Sequence, residues 1–164
     1  MTRGRILLRL ATVACAVLLA ACASKEEPYV ERPVEELDNE GMDALLVGRY
    51  ETASLKFDEV ERQHPYSSWA TKAQLMAAYA HYQRSAYDEA IVALDRFIQL
   101  HPSNRDTPYA YYLKALCYYE QISDVRRDQK MTQEARKTLE ELTARFPDST
   151  FAKDARLKID PTED

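Results

Sequence analysis

Glycine is among the scarcest residues of this 164-residue chain, present only at Gly4, Gly41 and Gly48. That shortage excludes a glycine-rich phosphate loop, a GxGxxG dinucleotide fingerprint and a GxSxG nucleophile elbow. Each of these needs backbone that approaches closely or turns sharply without a Cβ. Histidine is equally rare, at His64, His81 and His101. No two are four residues apart, and no acidic partner falls beside one in a ligand pattern, so no metal site is expected. Serines are scattered, and no His-Asp pair sits in a context that would activate a nucleophile. No catalytic residues are therefore expected, and no small-molecule substrate. Long apolar runs are absent but for LATVACAVLLAA (10–21), about a dozen residues and too short to span a membrane.

That run belongs to an N-terminus unlike the rest of the chain. Arg3, Arg5 and Arg9 precede it, and no acidic residue occurs before Glu26. A basic start followed by a short apolar stretch is the anatomy of a secretory signal. The run ends in Leu19-Ala20-Ala21-Cys22, which resembles the bacterial lipobox. There, small residues admit a peptidase to the backbone, and the cysteine thiol accepts lipid and becomes the new N-terminus. The resemblance implies a signal peptide over 1–21 and a covalent lipid, palmitate included, on Cys22. No other cofactor is expected. An ordinary secretory signal with a coincidental cysteine is the alternative. Ala23 and Ser24 follow Cys22 where an aspartate would retain a lipoprotein in the inner membrane. The implied location is the periplasmic face of the outer membrane. Buried acyl carbons contribute about 0.8 kcal/mol each, so more than one chain anchors stably.

Without Arg3, Arg5 and Arg9, the 22 Lys and Arg of the chain fall to 19 against 27 Asp and Glu, a net charge of −8. Such an acidic chain is a poor partner for nucleic acid. Cys15 leaves with the signal and Cys22 carries lipid. Cys117 then has no partner for an intrachain disulfide, and its apolar helical setting makes it a small core residue. Residues 23–33 (ASKEEPYVERP) are charged, contain two prolines and show no periodicity. Residues 22–33 thus read as a lipidated flexible tether.

From residue 34 to 160 the pattern is helical, and it recurs. An alanine precedes a proline by twelve positions three times: Ala53 and Pro65, Ala90 and Pro102, Ala135 and Pro147. Bulky apolar residues follow each alanine at offsets of four and seven: Phe57 and Val60, Leu94 and Phe97, Leu139 and Leu142. This spacing lays one apolar stripe along a helix of three to four turns, and the proline ends it. Gly41, Ala78 and Ala115 mark the close-contact point on the preceding helices, and Tyr50 and Tyr87 the turn-side position before Ala53 and Ala90. The pattern resembles the tetratricopeptide (TPR) repeat. The expected fold is all-α: about three TPR-like hairpins in a short right-handed solenoid, then a terminal helix starting at Asp148, Ser149 or Thr150. Residues 161–164 form a tail. The wider spacing of the last two prolines predicts a long loop over ISDVRRDQKM (122–131).

Three stretches carry a narrower resemblance: KFDEVERQHPYSSWATKAQLMAAYAHYQ (56–83), ALDRFIQLHPSN (93–104) and YAYYLKALCYYEQ (109–121) running into ISDVRRDQ. They resemble the BamD (ComL/YfiO) family of outer-membrane assembly lipoproteins across residues 34–160, and the lipobox agrees. The resemblance implies two kinds of partner: a BamA-like barrel insertase, and unfolded outer-membrane proteins whose C-terminal signals the first repeats receive. It implies a role in the barrel-assembly (BAM) machinery. Family members normally carry five repeats, whereas this sequence runs through three and one helix. The resemblance implies that the later repeats of the family dock the insertase.

The tyrosines are the candidate site. By repeat register, Lys72, Tyr79, Tyr82, Tyr109, Tyr112, Leu116 and Tyr119 face a groove lined by the first helix of each hairpin. Tyrosine offers large contact area at low entropy cost and a polar tip for peptide backbone. The groove would take an extended peptide ending in an aromatic residue and a carboxylate, with Lys72 available for charge pairing. The bland alternative is that these rings pack between helices. The run Asp124 to Asp128 is either a solvated charge cluster or a loop closing over the groove, with Arg126 or Arg127 meeting a carboxylate. Against the peptide-receptor reading stand a TPR lipoprotein that scaffolds envelope or cell-division complexes through folded partners, and an envelope enzyme, for which no convergent titratable groups are evident.

Overall fold

The computed structural model describes residues 30–122 and 129–159. Cys22 and the signal segment, Arg126 and Arg127, and the tail at 161–164 lie outside the described residues. The chain divides into two units, Met1–Glu31 and Arg32–Asp164. The second holds seven helices among the described residues: α1 (Val34–Leu46), α2 (Tyr50–Gln63), α3 (Ser68–Gln83), α4 (Tyr87–Leu100), α5 (Thr107–Glu120), α6 (Gln129–Arg145) and α7 (Thr150–Ile159). No strand occurs among those residues. Neighbouring helices pack on one another along the chain, and the first helices of successive hairpins, α1, α3, α5 and α7, also touch in turn.

The apolar stripe read from the repeat is the core. Ala53, Ala90 and Ala135 are buried, as are Phe57, Val60, Leu94, Phe97, Leu139 and Leu142. The small residues set how closely two helices of a hairpin approach. A Cβ placed on Gly41 of α1 would stand 2.7 Å from Cε1 of Phe57 on α2, so only glycine admits that ring. Ala78 and Ala115 are buried at the corresponding points of the next two hairpins. Cys117 is buried, and burial pushes its thiol up to about 12, which makes it an inert core residue.

Helix ends follow local chemistry. α2 and α4 stop at Gln63 and Leu100, with His64 and His101 leaving the helix at φ −130° and −129°. The prolines that follow disfavour helical backbone in the residue before them. Each histidine then braces its helix end: His64 Nε2 lies 2.7 Å from the Arg32 carbonyl, and His101 Nε2 lies 2.8 Å from Gln74 Oε1. The turn after α1 is a Schellman cap, with the Gly48 and Arg49 amides donating to the Leu45 and Ala44 carbonyls. After α3, Ser85 and Ala86 donate to Tyr82 and His81 in the same way. Both turns need a left-handed residue, supplied by Gly48 at φ 75° and Ser85 at φ 62°. Of the three candidate caps for the last helix, Ser149 serves: its Oγ accepts from the Ala152 amide at 3.0 Å. One boundary differs from expectation. Residues 129–131, assigned to the long loop, are the first turn of α6, because Gln129, Lys130 and Met131 are good helix formers.

Candidate functional site

Helical periodicity puts Tyr79 and Tyr82 on one face of α3 and Tyr109, Tyr112 and Leu116 on one face of α5. The four tyrosines are half-buried and pack against the larger core cluster, their rings neither lost in the interior nor free in solvent. Tyr111, one position out of register, is a core residue. Burial raises the Tyr109 phenol to about 12, with Tyr79 and Tyr82 adding to the shift. Tyr112 is also raised to about 12, by burial and by its hydrogen bond to the Asp154 carboxylate. Burial raises Tyr82 as well. All three are therefore neutral phenols near pH 7. Tyr79 Oη accepts from Gln83 Nε2 at 2.7 Å, which leaves its own hydrogen to be donated elsewhere.

The last helix completes this face. Phe151 of α7 stacks obliquely on Tyr109 and Tyr112, with ring centroids 5.3 and 5.6 Å away. Tyr112, Thr150, Phe151 and Asp154 line an open recess of about 330 Å³. Tyr82 contacts Tyr87 of α4 at 5.9 Å between centroids. Leu116 is half-buried. Tyr119 is 56% exposed and lines a separate small apolar recess with Ile122, Leu139 and Ile159.

Lys72 is engaged differently from expectation. It is not an unpaired cation: its Nζ lies 3.3 Å from Asp38 Oδ2 on α1 and 5.6 Å from the Trp69 ring centroid. Asp38 is only 3% exposed, and its Oδ1 has no hydrogen-bond partner. Asp38, Trp69, Phe151 and Asp154 were not legible as site residues. A hint existed for Asp38 alone, a polar residue three positions before Gly41 on the face that Leu37 and Ala44 bury. Among the described residues, no group of three or more His, Cys, Asp or Glu is placed to hold a metal ion.

The profile of the YfiO family, described as outer membrane lipoprotein, matches residues 30–164. Three curated relatives bear the name outer membrane protein assembly factor BamD. The one from Caulobacter vibrioides is 48% identical, over 99% of this chain and 54% of its own length. That from Rickettsia prowazekii is 40% identical, over 90% of this chain and 59% of its own. The one from Neisseria meningitidis serogroup B is 32% identical, over 92% and 62%. The chain thus spans little more than half the length of these relatives. Two solved structures share the fold alone. The Arabidopsis OM64 TPR domain aligns with TM-score 0.59 at 14% identity, over 79% of this chain and 95% of that one. The first TPR of Spaghetti (RPAP3), solved bound to an HSP90 peptide, aligns at 0.59 and 19% identity, over 81% and 94%. The chain belongs to the YfiO family of outer membrane lipoproteins.

Proposed function

We propose that this chain is a component of the outer-membrane β-barrel assembly machinery, a non-enzymatic receptor for unfolded outer-membrane proteins working with a BamA-like insertase. Lipid on Cys22 would hold it to the periplasmic face of the outer membrane. Its family membership and the shared name of its relatives support that setting. The observation that carries the receptor reading is the tyrosine face of α3 and α5. Tyr79, Tyr82, Tyr109 and Tyr112 offer apolar ring surface with neutral phenol tips beside an open recess. An extended chain presents alternating side chains and unpaired backbone groups, which such rings and hydroxyls match without demanding one sequence. A scaffold for folded partners would instead need a broad complementary surface.

The test is a binding titration of the full chain with a synthetic C-terminal peptide of a barrel protein. Replacing Tyr79 and Tyr112 together by alanine should weaken binding by about tenfold or more while circular dichroism stays helical. Unchanged affinity in a folded variant would assign the peptide elsewhere. Crosslinked pull-down from envelopes then separates the two settings: insertase and barrel precursors for the assembly role, folded envelope or division proteins for the scaffold.

A further inference from the structure

Asp38 is poorly explained as a stabilising residue. Its carboxylate is almost fully buried, one oxygen has no partner, and the other meets Lys72 at 3.3 Å. Charge-assisted bonds between ammonium and carboxylate normally lie nearer 2.8 Å, so this contact is a long one. A buried carboxylate held this loosely is costly, and an apolar side chain of similar size would serve packing better. What the arrangement does achieve is to define Lys72. The lysine side chain is 52% exposed, yet its ammonium has the Asp38 carboxylate on one side and the Trp69 ring on another. One carboxylate and the electron-rich face of one neutral ring already draw on that charge, while an ammonium has three hydrogens to donate.

We propose that Asp38, Lys72 and Trp69 form a charge-compensated subsite at the first-repeat end of the groove, where Lys72 donates to a main-chain carbonyl of the bound chain. Asp38 is the positioning residue. It holds the ammonium in place and cancels much of the attraction that a free lysine would exert on a terminal carboxylate. The subsite therefore reads backbone, which every unfolded chain carries, and not the end of a chain. This inference rests on the peptide-receptor reading of the tyrosine face.

The experiment measures affinity of the full chain for one short synthetic peptide made in two forms, with a free C-terminal carboxylate and as the C-terminal amide. The unsubstituted protein should bind the two within about threefold. Lys72→Met should weaken both forms to a similar degree, by about fivefold. Asp38→Asn should shift the ratio, raising the preference for the free acid by about fivefold, because the lysine charge is then uncompensated. A merely structural Asp38 would lower both affinities and leave that ratio alone. Lys72→Met strands a buried carboxylate, so the double variant Asp38→Asn/Lys72→Met, which removes both charges, guards against loss of fold. A strong preference for the acid in the unsubstituted protein, abolished by Lys72→Met, would make Lys72 a carboxylate receptor and overturn the proposal. So would an Asp38→Asn ratio equal to that of the unsubstituted protein. If Lys72→Met has no effect while Tyr79→Ala and Tyr109→Ala weaken binding, the subsite falls and the groove stands. If none of these weakens binding, both fall.

Discussion

At the scale of single residues, Ser85 and Gly48 occupy equivalent places in two successive hairpins. Each ends a Schellman cap in the left-handed region, at φ 62° and 75°. Glycine takes that conformation freely, whereas a residue with a Cβ is strained there by about 1 kcal/mol. Ser85→Gly should therefore raise stability by about 1 kcal/mol, less a few tenths for the more flexible unfolded chain, and lift Tm by about 2–5 °C in a thermal melt. A lower Tm would mean that the serine side chain contributes more than its backbone costs. Gly41, Ala78 and Ala115 were legible as contact points because a small residue at fixed spacing in a repeat has few other uses. Asp38 was not, because its meaning depends on Lys72, thirty-four positions later and on another helix.

At the scale of elements, the first hairpin is held at its open end by a charged network. Arg32, ahead of α1, pairs with Glu36 and Glu40 of α1 at 2.5 Å, and Lys56 of α2 pairs with Glu40 at 2.7 Å. The Arg32 main chain is bound as well, its amide donating to Gln63 Oε1 at 2.7 Å and its carbonyl facing His64. Hydrogen bonds from Arg32 and then Lys56 hold the Glu40 carboxyl down at about 2. A depressed folded-state value stabilises above the unfolded value of 4.5 and is lost as pH falls through about 2. Glu40→Gln should thus lower the urea midpoint at pH 7 and flatten its fall across that window by the same amount, a modest one because exposed pairs are weak. Parallel acid profiles for the two proteins would assign the acid sensitivity to other carboxylates. Between hairpins, Glu61 of α2 accepts from Gln74 of α3 at 2.9 Å and pairs with Arg96 of α4, and Gln74 in turn meets His101. Lys114 of α5 reaches Asp95 of α4 at 2.6 Å. Such links come from stacking, and no helical periodicity announces them.

At the scale of the repeat unit, two buried clusters meet in α3. One gathers Leu37, Ala44, Phe57, Val60 and Ala73; the other runs from Leu75 through Phe97 and Tyr111 to Ala155. Stacked repeats share only nearest-neighbour interfaces, so damage in one should stay partly local. Phe57→Ala should cost about 3–5 kcal/mol, and hydrogen exchange should open α1 and α2 well before α6 and α7. Uniform loss of protection over all seven helices would show instead that the stack unfolds as one unit. Helix positions and the hairpin repeat were readable along the chain. They rest on 3.6-residue periodicity, small-residue contact points and proline stops, which act within one or two turns. The pairing of Lys72 with Asp38 and the seating of Phe151 on Tyr109 and Tyr112 belong to tertiary structure alone. Those contacts join residues on different hairpins, and the distances between them depend on how far each hairpin is rotated against the last, an angle set by the summed packing of many side chains.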